Sequence, residues 1–360
     1  MNDDSYRTSS VAVLIPAYNE ELVIEKTLRI LSRLVPADNI FVVDDGSVDA
    51  TRTIARRYTR NVYVIHNHGK AYAINRAIKY FELTKKFEYI LLMDADTWPK
   101  SDFFEHALRH LTDDAAGAIT CVVGRIKGQG INWISKYRQW EYHIAHFIHK
   151  RAQTYLQSII VVPGCATVYR SSIFDRLEFP SGTMTEDMDF TFLMHRAGYH
   201  TMVFEDKAIV YTQDPVTLRD FAIQLTRWYT GFWQVVRKHD IPWQGQMLDF
   251  EVAMLALEGL YNGLIVLLFC IAALPLTFIG DVRVFAIPLA LDFVFFLFPT
   301  LVWNAHADRD YRRILYVPHF YVLRFISSVL FLRGYFAGYL SLEKHYAWHS
   351  NRYVMGADGG

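Results

Sequence analysis

The chain has 360 residues, 52% of them apolar and 21% charged, and its 37 Lys plus Arg balance 37 Asp plus Glu. That composition excludes disorder and collagen-like repeats, and it leaves no global basic field of the kind that holds a nucleic-acid backbone, so no nucleic-acid partner is expected. The neutral total is uneven: positions 1–240 carry 29 basic and 28 acidic residues, positions 241–360 only 8 and 9.

The start, Met1-Asn2-Asp3-Asp4-Ser5, is polar and acidic with no apolar run before Val11, so neither a secretory signal nor an N-terminal membrane anchor is expected. Residues 11–15 are an apolar β-branched run stopped by Pro16, and Ile24, Leu28, Leu31 and Leu34 then recur at helical spacing. Further strands are predicted at 40–43, ending in Asp44-Asp45-Gly46-Ser47, at 62–65, ending near His68-Gly69, and at 89–93, ending at Asp94. Helical segments lie between them. Four such units predict an α/β fold with a mostly parallel sheet covered by helices on both faces, whose ligands bind outside the carboxyl ends of the strands. Cys121, Cys165 and Cys270 are odd in number and far apart, so neither a disulfide framework nor a zinc site is suggested and a reducing compartment fits better.

Residues 259–280 contain no charge and are long enough to cross the ~30 Å core of a bilayer. A second span, 284–303, has only Asp292 charged, and the short 281–283 joins the two as a hairpin. Arg309, Arg312 and Arg313 then place the following loop in the cytoplasm, on the side of the N-terminal domain. Residues 314–341 are apolar but include Arg324, Arg333, Pro318 and His319, which reads as a third span lining a polar path or as a helix lying at the interface. The expected organisation is a cytosolic domain at 1–240, an interfacial linker or helix at 241–258, a membrane region at 259–342 and a tail at 343–360.

Carboxylates stand at successive strand ends: Asp44 and Asp45, then Asp94 and Asp96. An Asp-x-Asp pair after a buried strand offers hard oxygen ligands to Mg²⁺ or Mn²⁺, and Lys70 could neutralise a diphosphate as a point charge. Asp49 and Asp102 read more simply as turn or cap residues. A second cluster, Thr185-Glu186-Asp187-Met188-Asp189, could cap a helix, but capping needs only Thr185 and one carboxylate, which leaves a carboxylate for general-base work on an acceptor hydroxyl. Gln224, Arg227 and Trp228 lie at i, i+3 and i+4, on one helix face, where they could bind a diphosphate and stack on a sugar. His143, His146 and His149 repeat every three residues beside Trp140 and Phe147 and read as an amphipathic helix rather than a metal face.

Pro16-Ala17-Tyr18-Asn19-Glu20, 43–49, 68–75, Asp94-Ala95-Asp96, Thr185-Glu186-Asp187 and Gln224-Leu225-Thr226-Arg227-Trp228 occur in the order found in glycosyltransferase family 2. Over about residues 9–240 the chain resembles the membrane-embedded, processive branch that holds cellulose, chitin, hyaluronan and poly-N-acetylglucosamine synthases. The resemblance implies a Rossmann-like, nucleotide-sugar-binding GT-A domain followed by transmembrane helices, in a multi-pass protein of the cell membrane whose catalytic domain is cytoplasmic. It implies that Ala17, Tyr18, Glu20 and Asp45 hold the nucleoside and that Lys70 and Asp94 contact nucleotide or donor. Asp96 would be the principal ligand of Mg²⁺ or Mn²⁺ and Asp187 the general base, with Gln224, Arg227 and Trp228 the clamp beside diphosphate and acceptor. Gly164 and Cys165 fall where relatives keep a small-residue loop on the acceptor side, next to Glu186 and Trp228; Cys165 reads as a packed small hydrophobe.

The implied reaction is an inverting transfer from a UDP-sugar to a hydroxyl, giving a β-linkage, with a growing polysaccharide as acceptor. Many processive relatives have more membrane helices, so the wall of a polymer tunnel would need the third segment and a second protomer. Otherwise the acceptor is a membrane lipid, such as a polyprenyl phosphate or a diacylglycerol- or ceramide-type lipid. GDP-mannose also stays open as donor. A non-catalytic nucleotide-sugar sensor is the third reading, and the retained acids speak against it.

Overall fold

The computed structural model describes residues 8–279 and 283–340. Strand β1 (Val11–Ala17) leads to helix α1 (Ile24–Leu31), β2 (Ile40–Asp44) to α2 (Thr51–Ala55), and β3 (Asn61–Val64) to α3 (Lys70–Tyr80) and α4 (Leu83–Lys86). Then follow β4 (Tyr89–Leu92), β5 (Trp98–Pro99), α5 (Phe103–Asp113), β6 (Cys121–Lys127), α6 (Trp133–Ile144), α7 (Arg151–Leu156), β7 (Thr167–Arg170), α8 (Glu186–Arg196) and β8 (Met202–Tyr211). The chain continues as helices α9 (Leu218–Lys238), α10 (Met247–Ile279), α11 (Arg283–Asp292), α12 (Phe298–Asp308) and α13 (Val317–Gly334). Two compact units result: residues 8–127 with 150–213, and residues 128–149 with the described part of 214–346.

The first unit is an eight-stranded sheet in the order β3-β2-β1-β4-β7-β6-β8-β5. Strands β3, β2, β1 and β4 run parallel, as the four strand–helix units predict, because each crossover returns the chain to the same end. Beyond β4 the directions mix: β7 is antiparallel to β4 and β6, β8 is parallel to β6, and β5 is antiparallel to β8. Both faces of the sheet are covered, so the strands split their side chains by parity. Val11, Val13, Ile15, Ile40 and Val42 join a core closed by α1, α2 and α5, whereas Ala12, Leu14, Phe41 and Val43 join one closed by α3 and α8.

Pro16 does not end β1 as the sequence suggests; the strand continues to Ala17. Its pairing with β4 stops at Leu14, whose carbonyl accepts from the Met93 amide, while its pairing with β2 runs on to Ala17 and Asp44. Pro16 shares the parity of Leu14 and so presents its missing N–H to the side where β4 has already ended.

In the second unit, Ile134, Tyr137 and Trp140 of α6 pack with Phe221 and Leu225 of α9, Leu301 of α12 and Phe320 and Leu323 of α13. Asn132 starts α6 by accepting from the Ile134 and Ser135 amides, while the Ser135 hydroxyl accepts from the Asn132 amide. The linker expected at 241–258 and the span expected at 259–280 share the single helix α10 up to Ile279; position 280, the joining residues 281 and 282, the tail 343–360 and the side chain of Cys270 lie outside the described residues. Among the described residues two stretches are long and apolar enough to cross a membrane, Leu289–Asp308 and Tyr311–Leu340. Their internal charges meet: Arg324 donates twice to Asp292, at 2.6 and 2.9 Å, and the Tyr321 hydroxyl donates to the same carboxylate at 2.8 Å. Arg313, one of the three loop arginines, is only 3% exposed and is satisfied inside the unit by Asp308, Asn304 and Gln139. His143 is buried edge-on against Trp303 rather than facing outward.

Candidate active site

Ala17 and Asp44 end adjacent parallel strands, so the loops that follow them emerge side by side. The two loops are laced together. The Asn19 amide donates to the Ser47 hydroxyl (2.9 Å), the Val48 amide to the Asn19 side-chain oxygen (2.9 Å), and the Glu20 amide to the Thr51 hydroxyl (2.7 Å). Glu20 is buried, and its carbonyl starts α1 by accepting from Val23 and Ile24. Tyr18 is half-buried between these anchored neighbours. Asp49 is held within the turn by Thr51 and Glu21, as its reading as a turn residue expects.

Asp45 binds the next loop. Its carboxylate accepts from the amides of His68 (3.0 Å) and Gly69 (2.8 Å). Gly69 has φ +94°, in the left-handed region that a residue with a Cβ disfavours, and this turn is what aims its amide at Asp45 and launches α3 at Lys70. Burial pushes the Asp45 carboxyl above the ordinary value, against the pull of the two amides.

Lys70 then reaches the end of β4, where its ammonium lies 2.5 Å from Asp94 and 3.3 Å from Glu186 of α8. Burial works to lower its pKa, and the Asp94 and Glu186 carboxylates overcome that and raise it, so Lys70 stays charged. Gly164 closes the other side: a Cβ placed there would stand 3.2 Å from the Lys70 ammonium and 4.0 Å from the Asp187 Cβ. Lys70, Asp94, Gly164, Glu186 and Asp187 thus converge. Asp187 sits in the first turn of α8, accepting the Met188 amide at 2.8 Å, where the helix N-terminus favours a carboxylate. The remaining acid, Asp189, is fully buried and accepts from the Thr183 hydroxyl. Thr185 occupies the N-cap position, but its hydroxyl makes no capping bond.

Cys165 packs half-buried against the sheet core, and burial, with the carboxylate of Asp94, pushes its thiol well above the ordinary value. A protonated, inert thiol results. Asp96 follows Asp94 by two positions and is 7% exposed. Among the described residues no three His, Cys, Asp or Glu side chains gather to form a complete metal site. The donor set at the end of β4 is nonetheless all hard oxygen and short of ligands, which fits Mg²⁺ or Mn²⁺ completed by substrate oxygens.

One residue of this neighbourhood carries no motif. The Lys150 ammonium donates to the Val161 carbonyl, and burial lowers its pKa from the ordinary 10.5 to about 8, with Asp187 the leading opposing charge. In sequence it is one of two consecutive basic residues after a histidine, a pattern that signals a solvated helix end.

The three residues expected to form the clamp lie in the second unit. Gln224, Arg227 and Trp228 are half-buried on α9, and the guanidinium of Arg138 from α6 rests over the Trp228 ring, 4.6 Å from its centroid. Arg138 also bonds Glu141 and the Tyr142 hydroxyl. The i, i+3, i+4 spacing of Arg138, Glu141 and Tyr142 is the signal in the sequence that points to this group.

Residues 12–178 match the family model described as Glycosyl transferase family 2. The chain is 30% identical over 244 residues to the "Probable glycosyltransferase YdaM" of Bacillus subtilis (strain 168), covering 63% of this chain and 56% of that protein. It is 25% identical over 253 residues to the "Poly-beta-1,6-N-acetyl-D-glucosamine synthase" of Staphylococcus epidermidis, covering 66% and 60%. The chain therefore spans less than two thirds of the length of these curated relatives. Its fold is similar to that of a mannosyltransferase from Pyrobaculum calidifontis solved with GDP-Man and Mn²⁺, at a TM-score of 0.60 and 19% identity, over 93% of this chain and 88% of that one.

Proposed function

This chain belongs to glycosyl transferase family 2 through residues 12–178, and from that premise we propose that it is an inverting glycosyltransferase that moves a sugar from a UDP-sugar to a hydroxyl and lengthens a polysaccharide. The observation that carries the reading is the convergence of Lys70, Asp94, Gly164, Glu186 and Asp187 on one spot at the carboxyl end of β4. The relative from Staphylococcus epidermidis, named for a polysaccharide, supports the acceptor.

In this reading Ala17, Tyr18, Glu20 and Asp45 form the nucleoside wall, which the bonds from Asn19, Glu20 and Gly69 hold in shape before the donor arrives. Lys70 neutralises the diphosphate. A divalent cation held by Asp96, with Asp94 beside it, would supply further neutralisation of the leaving group. Asp187 takes the proton of the acceptor hydroxyl, the oxygen bonds to C1 of the sugar, and the bond from C1 to the diphosphate breaks with its electron pair leaving on UDP. Attack opposite the leaving group inverts C1. Gln224, Arg227 and Trp228 are assigned to the acceptor and diphosphate side.

The protein is proposed to be multi-pass in the cell membrane, with residues 1–240 on the cytoplasmic side, the spans 259–280 and 284–303 forming a hairpin, and 314–341 a third span. The mutual pairing of Asp292 with Arg324 supports this, because it removes the cost of two lone charges among apolar helices. A second reading, transfer of one sugar to a membrane lipid, is favoured by one observation: Phe250, Met254, Leu257 and Tyr261 form an exposed stripe along one face of α10 on which a lipid-borne acceptor can lie.

Incubation of the full chain in membranes with a panel of radiolabelled nucleotide-sugars, followed by sizing and lipid extraction, tests these readings. High polymer from a UDP-sugar is the expected product. A chloroform-soluble monoglycosylated lipid would replace the first reading with the second, and transfer from no donor overturns both.

A further inference from the structure

Trp228 does not lie bare on its helix. The Arg138 guanidinium covers one face of the indole at 4.6 Å, and the Tyr142 ring lies 4.8 Å from the same guanidinium. Arg138 is 3% exposed, too buried for a solvated surface charge. It is fixed at both ends of its fork, one nitrogen donating to the Glu141 carboxylate and the other to the Tyr142 hydroxyl at 3.4 Å. The helix that carries it is fixed as well: the capping box at Asn132 and Ser135 sets where α6 starts, and Tyr137 meets Phe221 of α9 edge-on at 5.9 Å. A buried cation stacked on an indole and bonded to a carboxylate is a rigid support, because the planar guanidinium satisfies ring and carboxylate together, as an ammonium cannot.

We propose that Arg138, held by Glu141 and Tyr142, is a positioning residue that sets the plane of the Trp228 indole and so leaves the opposite face of the ring for the acceptor. The inference rests on the reading of Trp228 as an acceptor-side residue. Its consequence is a division of labour: a change at Arg138 alters acceptor use and leaves the nucleoside pocket alone, since none of the residues assigned to the nucleoside belongs to the unit that holds Arg138.

The test separates this placement from simple charge pairing, and it can be read without turnover. The full chain is labelled with 5-fluorotryptophan in detergent, and the Trp228 ¹⁹F resonance is assigned by its loss in Trp228→Phe. Arg138→Lys and Arg138→Met should both shift or broaden that resonance, and both should raise the acceptor KM at least about five-fold while the Kd for UMP, which lacks the diphosphate, stays within about two-fold. Glu141→Gln, which loosens the guanidinium without removing it, should give a smaller change of the same kind. An unmoved Trp228 resonance in both Arg138 variants overturns the proposal, as does full rescue by Arg138→Lys, because a role confined to pairing with Glu141 would survive that exchange. Should the resonance move in a protein that transfers no sugar from any donor, the positioning of Trp228 stands and the enzymatic reading falls.

Discussion

Gly164 faces the Lys70 ammonium so closely that a Cβ would stand 3.2 Å from it and 4.0 Å from the Asp187 Cβ. The absent side chain is what lets a lysine and a candidate base share one cleft. A single methyl meets the flexible end of Lys70, which can yield, whereas a branched side chain fills the space that the proposed function gives to the reacting hydroxyl. Gly164→Ala is therefore expected to lower transfer by less than about ten-fold and Gly164→Val by about 10² or more, the cost of misplacing reacting groups by about 1 Å. An unchanged melting temperature in both variants, with parallel initial rates, checks that the loss is one of function.

Replacing Asp187 by Asn keeps shape and removes proton acceptance. Transfer should fall by about 10²–10⁴-fold, the range of a positioned general base, while the Kd for UDP stays within about two-fold. Calorimetric titration of UDP into both proteins decides the matter: loss of nucleotide affinity together with activity would make Asp187 a binding or structural residue.

Lys70 lies within ion-pair distance of both Asp94 and Glu186. Lys70→Met leaves these carboxylates facing an incoming diphosphate, so donor affinity should drop at least about ten-fold, roughly 1.4 kcal/mol. Because its carboxylate neighbours overcome the effect of burial, Lys70 stays protonated, and the affinity difference between variant and wild type should not fade as the medium is made mildly alkaline. Titrations of UDP at neutral and mildly alkaline pH would show it.

The stability of the fold should carry the signature of Lys150, whose pKa is lowered by burial from 10.5 to about 8. Between those values the unfolded chain holds a proton that the folded chain has released, so stability gains from this residue as pH rises through the window. Below the lower value the folded protein carries a half-buried charge that Lys150→Met would remove. The variant should thus melt above the wild type at neutral pH, and the gap should close as pH approaches the upper value; thermal scans of both proteins at matched pH measure it.

Asp292 and Arg324 neutralise each other between two apolar segments. Removing one leaves the other alone among apolar side chains, which costs more than removing both. Arg324→Met should lower the melting temperature in detergent sharply, and the double variant with Asp292→Leu should recover most of it. A double variant as unstable as the single would mean that the pair is not the source of the loss.

The first half of the sheet is legible in the sequence because its strands are short apolar runs, and those of β1, β2 and β4 are buried on both faces. The second half is not. In β8 the apolar residues are interrupted by Glu205-Asp206-Lys207, and its register with β6 shifts between Gly124 and Arg125, so no simple period marks either strand. The strand-end acids and the cluster at Glu186 and Asp187 are visible because charged residues there interrupt otherwise apolar elements. Lys150 stays hidden, since a basic pair after a histidine reads as a solvated helix end; the spacing of Arg138, Glu141 and Tyr142 marks a group on α6, but only the packing of α6 on α9 reveals that Arg138 has an indole beneath it.

The reversal of direction at β7 has a consequence for how such a protein can be altered. A parallel neighbour of β4 would bring its own carboxyl end beside Asp94 and Asp96, and the chain leaving it would need a crossover. Because β7 is antiparallel, what arrives there is the lead-in to the strand, Gly164 and Cys165, on a loop that departs from α7 and is separate from the turns after β1 and β2 that the proposed function assigns to the nucleoside. Residues 157–166, which the proposed function places on the acceptor side, are therefore the segment to exchange: a graft between α7 and β7 has to keep the buried anchors Ile159 and Val162 and also Gly164, where any side chain would meet Lys70.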